Sequence, residues 1–284
     1  MENRKIIENI LACPVCKEKL LLTEDGKSAA CTGARRHLFD FASGGYLNLY
    51  TSRAAGGDNG ECIGARSAFL AKGYYKNISD EVNALLAKYI TKEKAVVLDA
   101  GCGEGYYTNN IASNENFSVF GFDLSKSGVN IGAKAAKRAG KGNSFFGVAS
   151  VFALPVLSKS ADAITTIFAP CAEEEYARVL DDDGILLLVG AGKEHLIGLK
   201  RAVYDSAYEN EGRRDLPKEQ FELLEEKQLV YDITLESNED IQNLFAMTPY
   251  YYHTSQKDKE KLLSLETLST KIDIELFVYK KKNY

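Results

Sequence analysis

Four residues near the N-terminus have types and spacing that suit one metal ion: Cys13 and Cys16 of Cys13-Pro14-Val15-Cys16, then Cys31, then His37. The intervals are C-x2-C, fourteen residues, and C-x5-H. A tight CxxC turn and a second knuckle each supply two ligands, and together they enclose a tetrahedral ion such as Zn2+. With all four positions taken by protein, the ion is structural and leaves no open position for chemistry. The alternative is a set of buried thiols beside a surface histidine. The other cysteines, Cys62, Cys102 and Cys171, fall outside the pattern and read as small packing residues.

A second constellation is Val97-Leu98-Asp99-Ala100-Gly101-Cys102-Gly103-Glu104-Gly105. It reads as a strand ending in an acid, then a glycine turn, then a helix. Glycines permit the tight turn and let backbone approach a ligand closely. The carboxylates of Asp99 and Glu104 would repel a pyrophosphate, whereas the ammonium and sulfonium of S-adenosylmethionine suit them. The next strand ends in Asp123, placed to accept hydrogen bonds from both ribose hydroxyls. The third ends in Ala149-Ser150-Val151, where an adenine edge should lie. Asp99, Gly101, Gly103, Glu104, Asp123 and Ser150 are therefore the candidate cofactor residues. A dinucleotide enzyme and an ordinary α/β turn are the alternatives.

These residues need a framework of alternating strands and helices. Strands are expected at 95–99, 119–123, 144–149, 162–168 and 185–189, the last entered through an Asp181-Asp182-Asp183-Gly184 turn. Helices are expected at 126–137, 173–180 and 194–208, and late strands at 229–235 and 272–279. This alternation implies a doubly wound sheet with ligands at the C-terminal strand ends. Residues 51–66, rich in Gly, Ala and Ser, read as a flexible linker. From about Ala65 the chain turns helical, with Phe69, Tyr74, Ile78, Val82, Leu85 and Leu86 near helical spacing. The expected organisation is a zinc-binding domain over 1–50, a linker and helical segment over 51–90, and a Rossmann-like domain over 91–284.

The chain has 284 residues, 45% hydrophobic and 26% charged, enough for one α/β domain and a small appendage. No apolar run approaches the roughly 20 residues a bilayer requires, and no signal peptide is visible, so a cytoplasmic location is expected. The net charge of −5 is uneven: 8 Lys/Arg against 6 Asp/Glu over 1–54, and 27 against 34 over the remainder. The negative total argues against a nucleic-acid surface spread over the chain, and places any such surface near the N-terminus. Lys17, Lys19, Lys27, Arg35, Arg36 and Arg53 supply its cations, with phosphate contacts mainly on Arg35 and Arg36.

Taken together, these residues resemble the large-subunit (23S) ribosomal RNA guanine-N1 methyltransferases. The likeness spans nearly the whole chain: Cys13-Pro14-x-Cys16, His37-Leu38-Phe39-Asp40, Gly45-Tyr46-Leu47-Asn48-Leu49, Ala65-Arg66-Ser67-Ala68-Phe69-Leu70, Gly73-Tyr74-Tyr75, the 98–108 loop, Ala169-Pro170-Cys171, His195-Leu196 with Leu199-Lys200, and Met247-Thr248-Pro249. The glycine loop alone is common to many families, but the combination is specific. The resemblance implies a class I S-adenosylmethionine methyltransferase fold with an N-terminal zinc-ribbon-like domain. It implies cofactor contacts from Gly103, Glu104, Tyr75 and His195, a zinc module that recognises an RNA hairpin, and a homodimer. One departure is the gap between Cys31 and His37, wider than is usual in the family, which bears on the shape of the second knuckle. Another feature is the absence of Trp, so base stacking must use Tyr, Phe or His.

Methyl transfer from a sulfonium is an in-line displacement that depends on placement. Guanine N1 carries a proton, so a base is useful, and N1 lies on the pairing edge, so the base must be unpaired or flipped. Ala169-Pro170-Cys171 ends the fourth strand and is expected to face the methyl group; no residue stands out as the base. Two other functions compete: a small-molecule methyltransferase with a purely structural zinc module, and a non-catalytic RNA-binding protein.

Overall fold

The computed structural model describes residues 2–52, 57–213 and 215–282, and of residues 2–5 only the backbone. Arg53 and the 54–56 part of the expected linker lie outside the described residues. The N-terminal part opens with α1 (Glu2–Ile10) and continues through β1 (Leu20–Leu22), β2 (Ser28–Cys31) and β3 (Leu38–Asp40). These strands form an antiparallel sheet in the order β1-β2-β3. A fourth short strand, β4 (Leu47–Asn48), leaves that sheet and pairs in parallel with β7 (Ser144–Val148) of the main one, Leu47 opposite Gly147.

The main part contains α2 (Gly60–Ala71), α3 (Lys76–Tyr89), β5 (Ala95–Ala100), α4 (Tyr106–Ile111), β6 (Phe117–Asp123) and α5 (Lys126–Arg138), then β7. It continues with β8 (Ala161–Ile167), α6 (Glu173–Val179), β9 (Leu180–Ala191), α7 (Ile197–Val203), β10 (Phe221–Leu235), α8 (Asn238–Ala246), α9 (Gln256–Leu263) and β11 (Leu268–Lys281). The eight strands lie in the order β10-β11-β9-β8-β5-β6-β7-β4. β4 through β9 run parallel where they pair, and β11 is antiparallel to both neighbours, β9 and β10. The parallel centre is apolar on both faces, as in Phe117–Asp123, which is the pattern of a sheet covered on each side.

One face, carrying Val97, Val119, Ala163 and Leu187, packs against Ile78 and Val82 of α3, Leu199 and Val203 of α7 and Ile241 and Leu244 of α8. The other, carrying Leu98, Phe120, Ile164 and Leu188, packs against Tyr176 and Val179 of α6. That second cluster also takes in Ile10, Leu11, Leu20, Ala29, Leu47 and Leu49 of the N-terminal part. The small sheet therefore shares a core with the main one. Among the described residues, no helix is long and apolar enough to cross a membrane.

Several boundaries differ from expectation for local reasons. Helix α2 begins at Gly60, inside the expected linker, because the Asn59 side chain caps it by accepting the Cys62 N–H at 2.9 Å. The single helical run expected after Ala65 is two helices, parted at Gly73, whose φ of 83° is left-handed. Residues 181–184 are not a turn before the fifth strand but part of β9, at a shift of its register with β8. Only 197–203 of the expected 194–208 helix forms. Residues 204–213 and 215–220 are irregular, and Arg213 lies across the ends of β8 and β9. Glu173 holds the last part of the second stretch by accepting the N–H groups of Lys218, Glu219 and Gln220.

Candidate functional site

The two knuckles of the small sheet bring the metal-type residues together. Cys13 precedes a turn in which Lys17, at φ 63°, donates its N–H to the Cys13 carbonyl at 2.9 Å. Cys31 ends β2 and His37 directly precedes β3. His37 Nδ1 lies 3.5 Å from Cys13 Sγ and 3.4 Å from Cys31 Sγ, and Cys16 Sγ lies 3.7 Å from Cys31 Sγ. All four donor atoms fall within 4.8 Å of one another. Zinc with Zn–S near 2.3 Å and Zn–N near 2.1 Å would have tetrahedron edges of about 3.8 Å between sulfurs and about 3.6 Å between sulfur and nitrogen. The donor set thus fits a closed, structural zinc. Burial pushes the Cys31 thiol up, but the N–H groups of His37 and Gly33 outweigh this and bring it to about 7, which favours the thiolate a metal needs.

The glycine loop sits where β5 gives way to α4. Gly101, Gly103 and Gly105 all have positive φ, at 85°, 54° and 76°. A Cβ on Gly103 would lie 2.8 Å from the Arg66 guanidinium, and one on Gly105 2.7 Å from the Phe146 ring, so only glycine closes this loop. A cavity of about 290 Å³ opens beside it. Tyr75, Gly101, Gly103, Glu104, Asp123, Ser150, Ala169 and Pro170 of the sequence-derived candidates line this cavity. Asp123 Oδ2 accepts the Gly103 N–H at 3.0 Å and Oδ1 the Ser125 N–H at 2.6 Å, which fixes the carboxylate at the strand end. Burial raises its pKa, and the two N–H groups oppose the rise.

Three candidates lie elsewhere. Asp99 is buried beneath the loop and is not on the wall. Its carboxylate accepts the Thr108 hydroxyl at 2.5 Å and the Thr165 hydroxyl at 3.0 Å, tying β5 to α4 and β8. Burial lifts it to about 6 despite those bonds. His195 stands behind Tyr75, on a neighbouring cavity of about 600 Å³. Its Nδ1 accepts the Asp273 N–H at 3.4 Å, which puts the ring proton on Nε2, 3.2 Å from the Tyr75 hydroxyl. Burial pulls His195 down to about 4, against the pull of Asp273, so the ring is neutral. Cys171 lines neither cavity and gives its N–H to Asp215 at 2.6 Å. Burial pushes its thiol to about 12, far from any nucleophilic role near neutral pH.

The two cavities share Asp58, Arg66, Tyr75, Phe168 and Met247. Arg66 bridges Glu104 and Asp58, each at 2.6 Å. Burial works against its charge, but the two carboxylates outweigh this and hold it above the ordinary arginine range. The wall of the larger cavity includes Thr248, Pro249, Tyr250 and Tyr252, with Arg213 and Asp215 from the irregular stretches 204–213 and 215–220. Arg213 donates to the carbonyls of Val189 and Ala169, at 3.0 and 2.7 Å, and so pins the first of these stretches to the ends of β9 and β8. Sequence reasoning singled out none of Asp58, Phe168, Arg213 or Asp215. Arg66 and Met247 stood only within longer motifs. Of these, an Arg two turns into a helix facing an acidic loop was the one signal available.

The N-terminal sequence family described as "RlmA, N-terminal", a zinc ribbon, matches residues 11–51, and the family described as "Methyltransferase domain" matches residues 91–249. The chain is 27% identical over 286 residues to "Putative 23S rRNA (guanine-N(1)-)-methyltransferase YxjB" of Bacillus subtilis (strain 168), covering 97% of this chain and 98% of that one. It is 30% identical over 207 residues to "23S rRNA (guanine(748)-N(1))-methyltransferase" of Streptomyces fradiae, covering 70% of each. It is 32% identical over 205 residues to a protein of Micromonospora griseorubida bearing the same name as the Bacillus one without YxjB, covering 66% of this chain and 68% of that one.

Proposed function

This chain belongs to the zinc-ribbon-bearing family of the 23S rRNA (guanine-N1) methyltransferases, and we propose that it transfers a methyl group from S-adenosylmethionine to N1 of a guanine in a hairpin of large-subunit ribosomal RNA. The observation that carries this reading is the pair of adjoining cavities with a shared wall. One is walled by the glycine loop and Asp123, and the other by aromatic and carboxylate side chains, with Tyr75, Phe168 and Met247 between them. S-adenosylmethionine, when bound, supplies an electrophilic methyl group on a sulfonium. Gly101, Gly103, Glu104, Asp123 and Ser150 would hold it, with Tyr75 closing the end nearest the second cavity.

The remaining work is placement and proton transfer. Guanine N1 must lose its proton, and the carboxylates of Asp58 and Asp215 both line the larger cavity. Each is already paired with an arginine, Asp58 with Arg66 at 2.6 Å and Asp215 with Arg213 at 2.8 Å, and either could take the proton only by sharing it with that ion pair. The zinc cannot act on substrate, since four protein donors fill its coordination. Its task is to hold the knuckles that carry Lys17, Arg35 and Arg36, all exposed, as a rigid basic surface for phosphate. Family resemblance supports a homodimer that would pair two such surfaces, which sedimentation of the purified protein tests. A ribosomal RNA substrate fits a cytoplasmic protein.

The test is transfer of labelled methyl from S-adenosylmethionine to deproteinised 23S rRNA taken from cells lacking this protein. The expected product, after digestion to nucleosides, is 1-methylguanosine. Label on small metabolites with none on RNA would favour the small-molecule reading, and cofactor binding with no transfer would favour a non-catalytic RNA-binding protein.

A further inference from the structure

We propose that Phe168 is the stacking platform for the target base, and that the larger cavity beside it receives that base. The inference deepens the function proposed above and rests on it. Phe168 directly follows β8 at a φ of 54°, a left-handed conformation that bulky residues rarely adopt. Packing does not demand it, because 44% of the side chain's surface is exposed. The turn is held from every side. The Phe168 N–H donates to the Val189 carbonyl at 2.9 Å, and the Thr166 hydroxyl and Arg213 both donate to the Ala169 carbonyl, at 3.3 and 2.7 Å. The Tyr176 hydroxyl donates to the Pro170 carbonyl at 3.1 Å. A strained residue fixed this firmly is the kind that accumulates at ligand sites.

The outcome is a half-exposed ring at the junction of the two cavities. It is backed by the His195 ring, stacked at 5.9 Å and 24°, and by Tyr75 at 6.1 Å and 37°. Hydrogen bonding between Tyr75 and His195 fixes that backing. One face of Phe168 is thereby committed to protein. The cavity it borders is lined by Met247, Pro249, Tyr250 and Tyr252, with polar groups of Asp58, Thr248 and Asp215. Flat apolar walls edged by the Arg66–Asp58 and Arg213–Asp215 pairs offer both donors and acceptors, which suits guanine, whose edges carry N–H donors and the O6 and N7 acceptors. A flipped base loses its stacking partners, and an aromatic platform restores one of them.

The test uses the full-length protein and deproteinised 23S rRNA, with Phe168→Gly, Phe168→Leu and Phe168→Tyr. Glycine adopts φ 54° freely, so Phe168→Gly separates the ring from the strain that holds it. Loss of one base–aromatic stack corresponds to roughly a 5- to 150-fold effect. The expected result is a fall of that size in kcat/KM for RNA in the Gly and Leu variants, near-wild-type values for Tyr, and little change in S-adenosylmethionine affinity by calorimetry. Wild-type RNA kinetics in both Gly and Leu variants would overturn the inference and leave the proposed function standing. So would an equal loss of cofactor affinity, which would assign Phe168 to the sulfonium instead. A wild-type protein that methylates no RNA would overturn the proposed function, and the inference with it.

Discussion

The zinc ribbon and the main sheet solve the same problem by different means. Strands β1, β2 and β3 have three, four and three residues, too few to enclose an apolar interior of their own. Their centre is a cluster of three sulfurs and a ring nitrogen, and Leu20 and Ala29 of these strands, with Leu11 just before them, pack in one cluster with Phe120 and Phe145 of the main sheet. The main sheet has eight strands with both faces covered, and it holds its glycine loop in place by packing and by the Asp99 bonds to Thr108 and Thr165. The metal therefore sets the local shape of the ribbon, while apolar burial sets where the ribbon sits. Damage to the metal should fall first on RNA recognition, and damage to the sheet end first on the cofactor.

The hardest test of that division is removal of the metal. Structural zinc is worth roughly 10–16 kcal/mol in small modules, as much as the entire stability of a typical domain. Elemental analysis should find one zinc per chain in the wild type and none in Cys13→Ser. In that variant limited proteolysis should open the 11–51 region and RNA methylation should be lost, with S-adenosylmethionine affinity within a few fold. If cofactor binding disappears as well, the shared core around Leu11, Leu47 and Phe145 makes the two regions one cooperative unit.

On the sheet side, His195 gives a pH signature. Its pKa in the fold is about 4, against about 6.5 when unfolded. Between those values the unfolded chain binds the extra proton, so this group's contribution to stability is complete above pH 6.5 and is lost as pH falls toward 4. The difference between wild type and His195→Gln, followed by urea unfolding, should shrink by up to about 3 kcal/mol from pH 7 to pH 4. Parallel curves would mean that His195 is not buried behind Tyr75 as described.

A smaller effect is expected at the cofactor end. Asp123→Ala removes a charged acceptor, worth about 1.5–3 kcal/mol, or roughly 10–150-fold in S-adenosylmethionine affinity by calorimetry. It also frees the Gly103 N–H, so part of the loss should come from a looser loop. An unchanged dissociation constant would remove Asp123 from the site. Smallest of all, the Arg35→Ala, Arg36→Ala double variant should flatten the dependence of log RNA affinity on log salt by about one to two units, leaving cofactor affinity alone. A wild-type slope would move the phosphate contacts to the rim of the larger cavity.

What could be read in the amino-acid order differs between the two regions as well. The ribbon announces itself because metal ligation requires particular residue types at short intervals, even where the Cys31 to His37 gap is wide. The central strands were legible as continuous apolar runs, and the glycine loop as a strand, a turn and a helix. The larger cavity was not, because part of its wall comes from the irregular stretches 204–213 and 215–220, which have no periodicity and are held by the Glu173 carboxylate and the Arg213 guanidinium. Phe168 carries no mark in its neighbours of its left-handed backbone, which is imposed by contacts with β9 and the Ala169-Pro170 turn. Asp99 shows the converse: an acid beside a glycine loop looks like a ligand group, yet its carboxylate is taken up by the hydroxyls of Thr108 in the next helix and Thr165 in a distant strand.

If the adjoining cavities and the zinc ribbon act together on one guanine of ribosomal RNA, mass mapping of 23S rRNA from cells with and without this protein will show it. The expected map shows a single methylated guanine, modified at N1, that disappears without the protein, returns with the wild type and fails to return with Cys13→Ser. Identical methylation maps in the presence and absence of the protein would contradict it.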